Sequence, residues 1–153
     1  MNYKKQLLEC KNKNKWQNWT IIILSILFLI IIIYLIFVRI HEYYQQLDPM
    51  LDKIKMNLLP LHPKVKEISM FEGKRSYTIN KKRIYICLKD ENNEYYDFNM
   101  LMYVSIHELA HVVCNEIGHT EKFYKIFNEL LQKAENLKIY NPKIPIIKDY
   151  CNH

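Results

Sequence analysis

Between residues 20 and 38 the chain reads TIIILSILFLIIIIYLIFV, a run in which no side chain carries a charge. No other stretch constrains the fold as strongly. Coiled as an α-helix at about 1.5 Å per residue, it is roughly 28 Å long, close to the hydrocarbon thickness of a bilayer. A core helix of a soluble domain is apolar along one stripe, whereas this run is apolar on every face. A cleaved leader has a shorter apolar region that ends in small residues. Here the run passes into Arg39-Ile40-His41-Glu42-Tyr43 with no such site. The expectation is an uncleaved, single-pass transmembrane helix over 20–38.

That helix divides the charge. Of the formal net charge of +6, residues 1–19 hold Lys4, Lys5, Lys11, Lys13 and Lys15 against Glu9, which leaves +2 for everything after them. The basic balance therefore belongs to a polar tail, expected to lack regular structure. A folded basic surface is what nucleic-acid binding requires, so nucleic acid is not an expected partner. Trp16 and Trp19 stand just before the apolar run, where aromatic residues mark a membrane interface. The lysine excess on that side, against Arg39, Lys53 and Lys55 on the other, favours a cytosolic N-terminus and a domain across the membrane.

After the anchor, residues 39–60 have the pattern of a helical stalk. Ile40, Tyr43, Tyr44, Leu47, Leu51, Ile54 and Leu58 recur every three to four positions, Pro49 kinks or restarts the helix, and Pro60 and Pro63 close it. Residues 61–153 are expected to form the compact domain. Segments 65–70 and 76–79 alternate as short strands do, and 83–88 is the clearest strand, rich in β-branched and aromatic residues. Asn99 is a candidate cap for a helix whose apolar positions run from Leu101 to Ile117, with Gly118 as its stop. Thr120 starts a second amphipathic helix, with Phe123, Ile126, Phe127, Leu130, Leu131 and Ala134 on its buried face. The fold class is α+β: a small sheet, a central helix and a following helix, behind a transmembrane helix.

The central helix carries His107-Glu108-Leu109-Ala110-His111. Histidines four apart project from one helical face, one turn from each other, and both imidazoles reach one zinc ion at about 2.0–2.1 Å. Glu108 is one step round from the first ligand, placed to work on a zinc-activated water as general base and then general acid. This is the H-E-x-x-H arrangement of metalloproteases. A third ligand must come from beyond the helix. His119 follows the break at Gly118 directly; Glu121 also lies past it, and Glu116 points away if the helix continues that far. Cys10, Cys87, Cys114 and Cys151 have no metal-ligand spacing, and in an oxidising compartment any two of the last three are free to pair. Tyr140 and Tyr150 are both able to offer a phenol to an oxyanion. The 83–88 strand is able to offer its edge to an extended peptide.

The run IHELAHVVCNEIGHTEKFYKIFNELLQKA, with INKKRIYICLKDENNEYYDFNMLMYVS before it and the IYNP…YC ending after it, resembles the WLM/SprT-type zinc metallopeptidases, most closely predicted metallopeptidases of large DNA viruses. The resemblance covers residues 79–151 and leaves out anchor and stalk. It implies a minimal zincin, with His107, His111 and His119 matching the zinc ligands and Glu108 the catalytic acid/base. One departure stands out: seven residues separate His111 from His119, where the WLM pattern has five, although Phe123 keeps its four-residue offset.

Two functions follow as expectations. The first is a membrane-anchored, zinc-dependent endopeptidase holding one zinc ion and acting on protein or peptide substrates, at a viral or host internal membrane. The second is a membrane-anchored viral structural or adaptor protein whose zinc only stabilises the fold, closed by a fourth ligand such as Cys114 or Cys151.

Overall fold

A computed structural model describes the backbone of residues 3–151, and side chains for Trp16 and residues 18–151. The chain divides into two compact units, Met1–Glu42 and Tyr43–His153.

Helix α1 (Tyr3–Gln45) accounts for the first unit. Its segment Asn18–Gln45 is long and apolar enough to cross a membrane, and every side chain from 18 to 37 is exposed. Ser25, inside this segment, donates its hydroxyl to the Ile22 carbonyl at 2.8 Å, so a polar group within the apolar run is satisfied on its own helix. The helix also corrects the expectation of an irregular tail over 1–19. From Tyr3 onward the tail continues α1. Lys, Gln, Leu and Glu are strong helix formers, and extending an existing helix avoids the cost of nucleating one. Met1 and Asn2 lie outside the described residues.

The second unit opens with α2 (Pro49–Leu58). Asp48 caps it, accepting from the Met50 amide at 2.9 Å, and Pro49 occupies the first turn, where its missing N–H costs nothing. Pro49 therefore restarts the helix. Leu51, Ile54 and Leu58 are buried in the core, and α2 packs on both α3 and β1. The 39–60 stalk is thus corrected: its second half belongs to the domain, because three apolar residues on one face find a core to enter.

A 3-10 turn (Pro63–Glu67) capped by His62 takes the place of the first half of the strand expected over 65–70, whose last two residues are strand as expected. The proline at its start presets the turn. Strand β1 (Ser69–Glu72) follows, then β2 (Tyr77–Ile79) and β3 (Arg83–Ile86). The order in the sheet is β1-β3-β2, with β1 parallel and β2 antiparallel to β3. Asn80 and Lys81 both have positive φ, at 50° and 54°, and the Lys82 amide bonds to the Ile79 carbonyl at 3.1 Å. Two left-handed residues within the three-residue connection, residues 80–82, close a tight hairpin turn.

Helix α3 (Phe98–Val113) packs against α2, α4, β2 and β3. Its cap is Asp97, which accepts from the Asn99 amide at 2.8 Å. Asn99 instead ties down the C-terminal segment, exchanging two hydrogen bonds with the Asn141 backbone. The helix ends at Val113, ahead of Gly118, because Cys114 turns to an extended conformation. Lys64 and Lys81 donate to the last carbonyls, those of Val112 and Cys114, and cations there suit the negative end of the helix dipole. Helix α4 (Glu121–Asn136) is capped by Thr120, as its sequence suggests, and buries Phe123, Phe127, Leu130 and Ala134. The tail after α4 returns to the sheet, where Cys151 is bonded to Cys87.

Candidate metal centre

The end of α3 and the loop after it converge on one point. His107 and His111 leave the same face of α3; the chain then passes through Gly118 at φ +83° and brings His119 back toward them. Only a residue without a β-carbon takes that backbone turn without strain. The Nε2 atoms of His107 and His119 are 3.0 Å apart, and those of His111 and His119 are 3.2 Å apart. A tetrahedral zinc with nitrogen ligands at about 2.0–2.1 Å separates them by about 3.3 Å, so the three imidazoles fit a zinc ion closely. Among the described residues these three form the group able to hold a metal.

The electrostatics suit the same use. Burial, with the charges of His111 and His119 added, pulls His107 down to about 4. Burial, then His119 and Lys81, also lowers His111. Both imidazoles are therefore neutral at ordinary pH, the form in which histidine binds a metal. Phe123 forms the floor, its ring 4.3 Å from the ring of His111, 4.8 Å from that of His119 and 5.0 Å from that of His107. It is fully buried, so it supports the imidazoles and does not face a substrate.

Glu108 has only 5% of its surface exposed. Burial raises its carboxyl to about 7, although a hydrogen bond from Thr78 pulls the other way. The Thr78 hydroxyl lies 2.8 Å from Oε2 of Glu108 and 3.1 Å from its backbone carbonyl. Thr78 is a site residue that sequence reading misses. It lies on the three-residue strand β2, and only the packing of β2 on α3 reveals its partner.

Other candidates resolve by position. Glu116 accepts a hydrogen bond from Thr120 and pairs with Lys122 at 4.0 Å, and neither it nor Glu121 joins the histidine group. Cys114 is buried and free, and Cys151 is held in the disulfide, so neither provides a fourth ligand. Tyr103 lines the cleft beside His107 and also packs on Phe127 and Tyr140. Tyr140 is buried in that cluster, while Tyr150 reaches the cleft. The peptide-binding edge expected at 83–88 is ruled out, since β3 is the central strand; the edge nearest the site is β2. A cleft of about 630 Å³ runs between β2 and the loop before α4, past all three histidines and Glu108. It is the size of a small-ligand or peptide site.

Residues 77–145 match the model of the WLM domain, a zinc metallopeptidase-like family. All four site residues and Thr78 fall within the match. An uncharacterized protein, 136R, of Invertebrate iridescent virus 6 is 50% identical over 88 residues, covering 56% of this chain and 49% of that protein. Another, 042R, of Invertebrate iridescent virus 3 is 45% identical over 86 residues, covering 56% of this chain and 54% of that protein. The chain thus spans about half the length of the curated relatives it matches. The fold is similar to the crystal structure of Wss1 from Saccharomyces cerevisiae, with a TM-score of 0.50 and 17% identity, over 58% of this chain and 77% of that one.

Proposed function

We propose, from the premise that the chain carries a WLM domain, that it is a membrane-anchored zinc endopeptidase in which Glu108 is the general base and acid. The observation that carries this reading is the meeting of three imidazoles with one buried carboxyl, all lining a single cleft.

His107, His111 and His119 would hold the ion. Zinc bound there supplies Lewis-acid chemistry, activating a water and polarising the scissile carbonyl. Glu108 accepts the proton of the attacking water and passes it to the leaving amine. A carboxyl at about 7 suits both steps, because it takes and releases a proton near neutral pH. Thr78 keeps that carboxylate aimed, and Phe123 keeps the imidazoles from turning. The outer edge of β2, which lines the cleft, offers unpaired backbone groups to an extended peptide.

A catalytic zinc keeps one coordination position open, whereas a structural zinc is closed by a fourth protein ligand. The positions of Cys114 and Cys151 away from the histidines favour the catalytic reading over the structural one. The disulfide between Cys87 and Cys151 favours a domain in an oxidising compartment, across the membrane from the lysine-rich tail.

The test is the full chain in detergent, assayed on a peptide library with its metal content measured. The expected result is about one zinc per chain and cleavage that falls by about 10²–10⁴-fold in Glu108→Gln with zinc retained. A chain that holds zinc, cleaves nothing and unfolds on chelation supports the structural reading instead.

A further inference from the structure

A second cleft, of about 400 Å³, meets the first at His107 and Glu108. Its walls are Tyr103 and Val104 from α3, Arg75 and Ser76 from the segment before β2, and Tyr150 and Cys151 from the C-terminal tail. The last four lie outside the residues that match the WLM domain, 77–145.

The tail wall is held firmly. Cys151 is bonded to Cys87, and the Tyr150 ring packs on Tyr96 with centroids 4.8 Å apart. The Tyr150 hydroxyl donates to the Cys87 carbonyl and lies 3.1 Å from the Ser76 hydroxyl, which in turn accepts from the Cys87 amide at 3.1 Å. These polar groups are satisfied among themselves and have little to offer a polar guest. Away from the junction with His107 and Glu108, the cleft is lined by Tyr103, Val104, Tyr150 and Cys151, with Ser76 and the exposed Arg75 beside them.

We infer that this cleft is a substrate subsite for one large apolar or aromatic side chain next to the scissile bond, and that Tyr150 is its specificity-determining wall, held in place by the Cys87–Cys151 disulfide. The inference rests on the zinc peptidase reading. A guest anchored at the histidines enters both clefts, because they share His107 and Glu108. Tyr150 positions the guest, and the disulfide positions Tyr150.

The test uses the zinc-loaded full chain in detergent and two hydroxamates, zinc chelators that differ only in a benzyl or a methyl side chain. Burying the larger side chain is worth about tenfold or more in affinity, so the parent chain should favour the benzyl compound by at least that ratio. In Tyr150→Ala the ratio should fall below about threefold, with the methyl compound bound as before; Tyr150→Phe, which keeps the ring, should restore it.

Because Tyr150→Ala removes buried packing, the parent chain treated with a water-soluble phosphine gives an independent measurement. The phosphine is oxidised to its oxide with oxygen from water, and the disulfide takes up two electrons and two protons to give two thiols. Reduction should lower the benzyl preference while leaving methyl binding intact. Equal affinity of the parent for both compounds would overturn the subsite. A preference that survives both Tyr150→Ala and reduction would overturn the role of the tail. Failure of the zinc-loaded parent to bind the methyl compound would overturn the zinc reading itself, and the subsite with it.

Discussion

Helix α1 and helix α3 are both rich in apolar residues, and they dispose of them in opposite ways. Ten of the sixteen residues of α3 are buried, against α2, α4 and two strands. In α1 every described side chain from 18 to 37 is exposed. Apolar surface next to water is unfavourable in both cases. For α3 the protein itself removes that surface from water, whereas α1 is long and apolar enough to cross a membrane. The contrast also shows in the polar residues. Ser25 of α1 bonds back to its own helix, whereas Glu108 and the histidines of α3 depend on Thr78, Phe123 and the loop carrying His119.

The largest expected difference concerns truncation. Leu109→Ala empties a fully buried site and should destabilise the domain by about 2–5 kcal/mol in denaturant titration. Leu27→Ala, at a position 51% exposed on α1, should leave that transition where it is. Equal losses would mean that α1 is part of the same core.

The next effect is the pH dependence of metal-free stability. The Glu108 carboxyl is raised from 4.5 to about 7, so the native state holds a proton that the unfolded state has lost, and this stabilisation fades as pH rises through 7. His107 is lowered from 6.5 to about 4, so its stabilisation is present above 6.5 and is lost as pH falls toward 4. The two trends oppose each other between pH 4.5 and 6.5. Glu108→Gln removes one of them, and the variant should gain about 3 kcal/mol from pH 4 to 7 where the parent changes less. Parallel curves for parent and variant would contradict the burial of Glu108.

The smallest effect belongs to Thr78→Val. Losing its bond to a buried carboxylate should cost about 1–3 kcal/mol and move the acidic limb of the kcat/KM profile to higher pH, since that bond holds the Glu108 carboxyl down. An unmoved limb would mean that Thr78 only packs.

Some of this was legible in the residues alone. The apolar run, the histidine pair and its glutamate, and Thr120 as a cap are local signals, set by spacing along one helix. Four other features depend on contacts distant in sequence. Leu51, Ile54 and Leu58 have the same helical spacing whether they face solvent in a stalk or a core in a domain. The end of α3 at Val113 comes with carbonyls that Lys64 and Lys81 cover, and these are brought there by the 3-10 turn and the hairpin. The pairing of Cys87 with Cys151, across 64 positions, and the approach of Thr78 to Glu108 arise only when sheet, helix and tail are packed together.

The central claim is that three histidines hold a zinc ion with a face left open for catalysis. X-ray absorption at the zinc edge of the full chain in detergent measures this directly. Three imidazole nitrogens at about 2.0–2.1 Å are expected, with one further light atom, oxygen, at similar distance. A sulfur ligand at about 2.3 Å, or a fourth imidazole, would describe a closed structural site and contradict it.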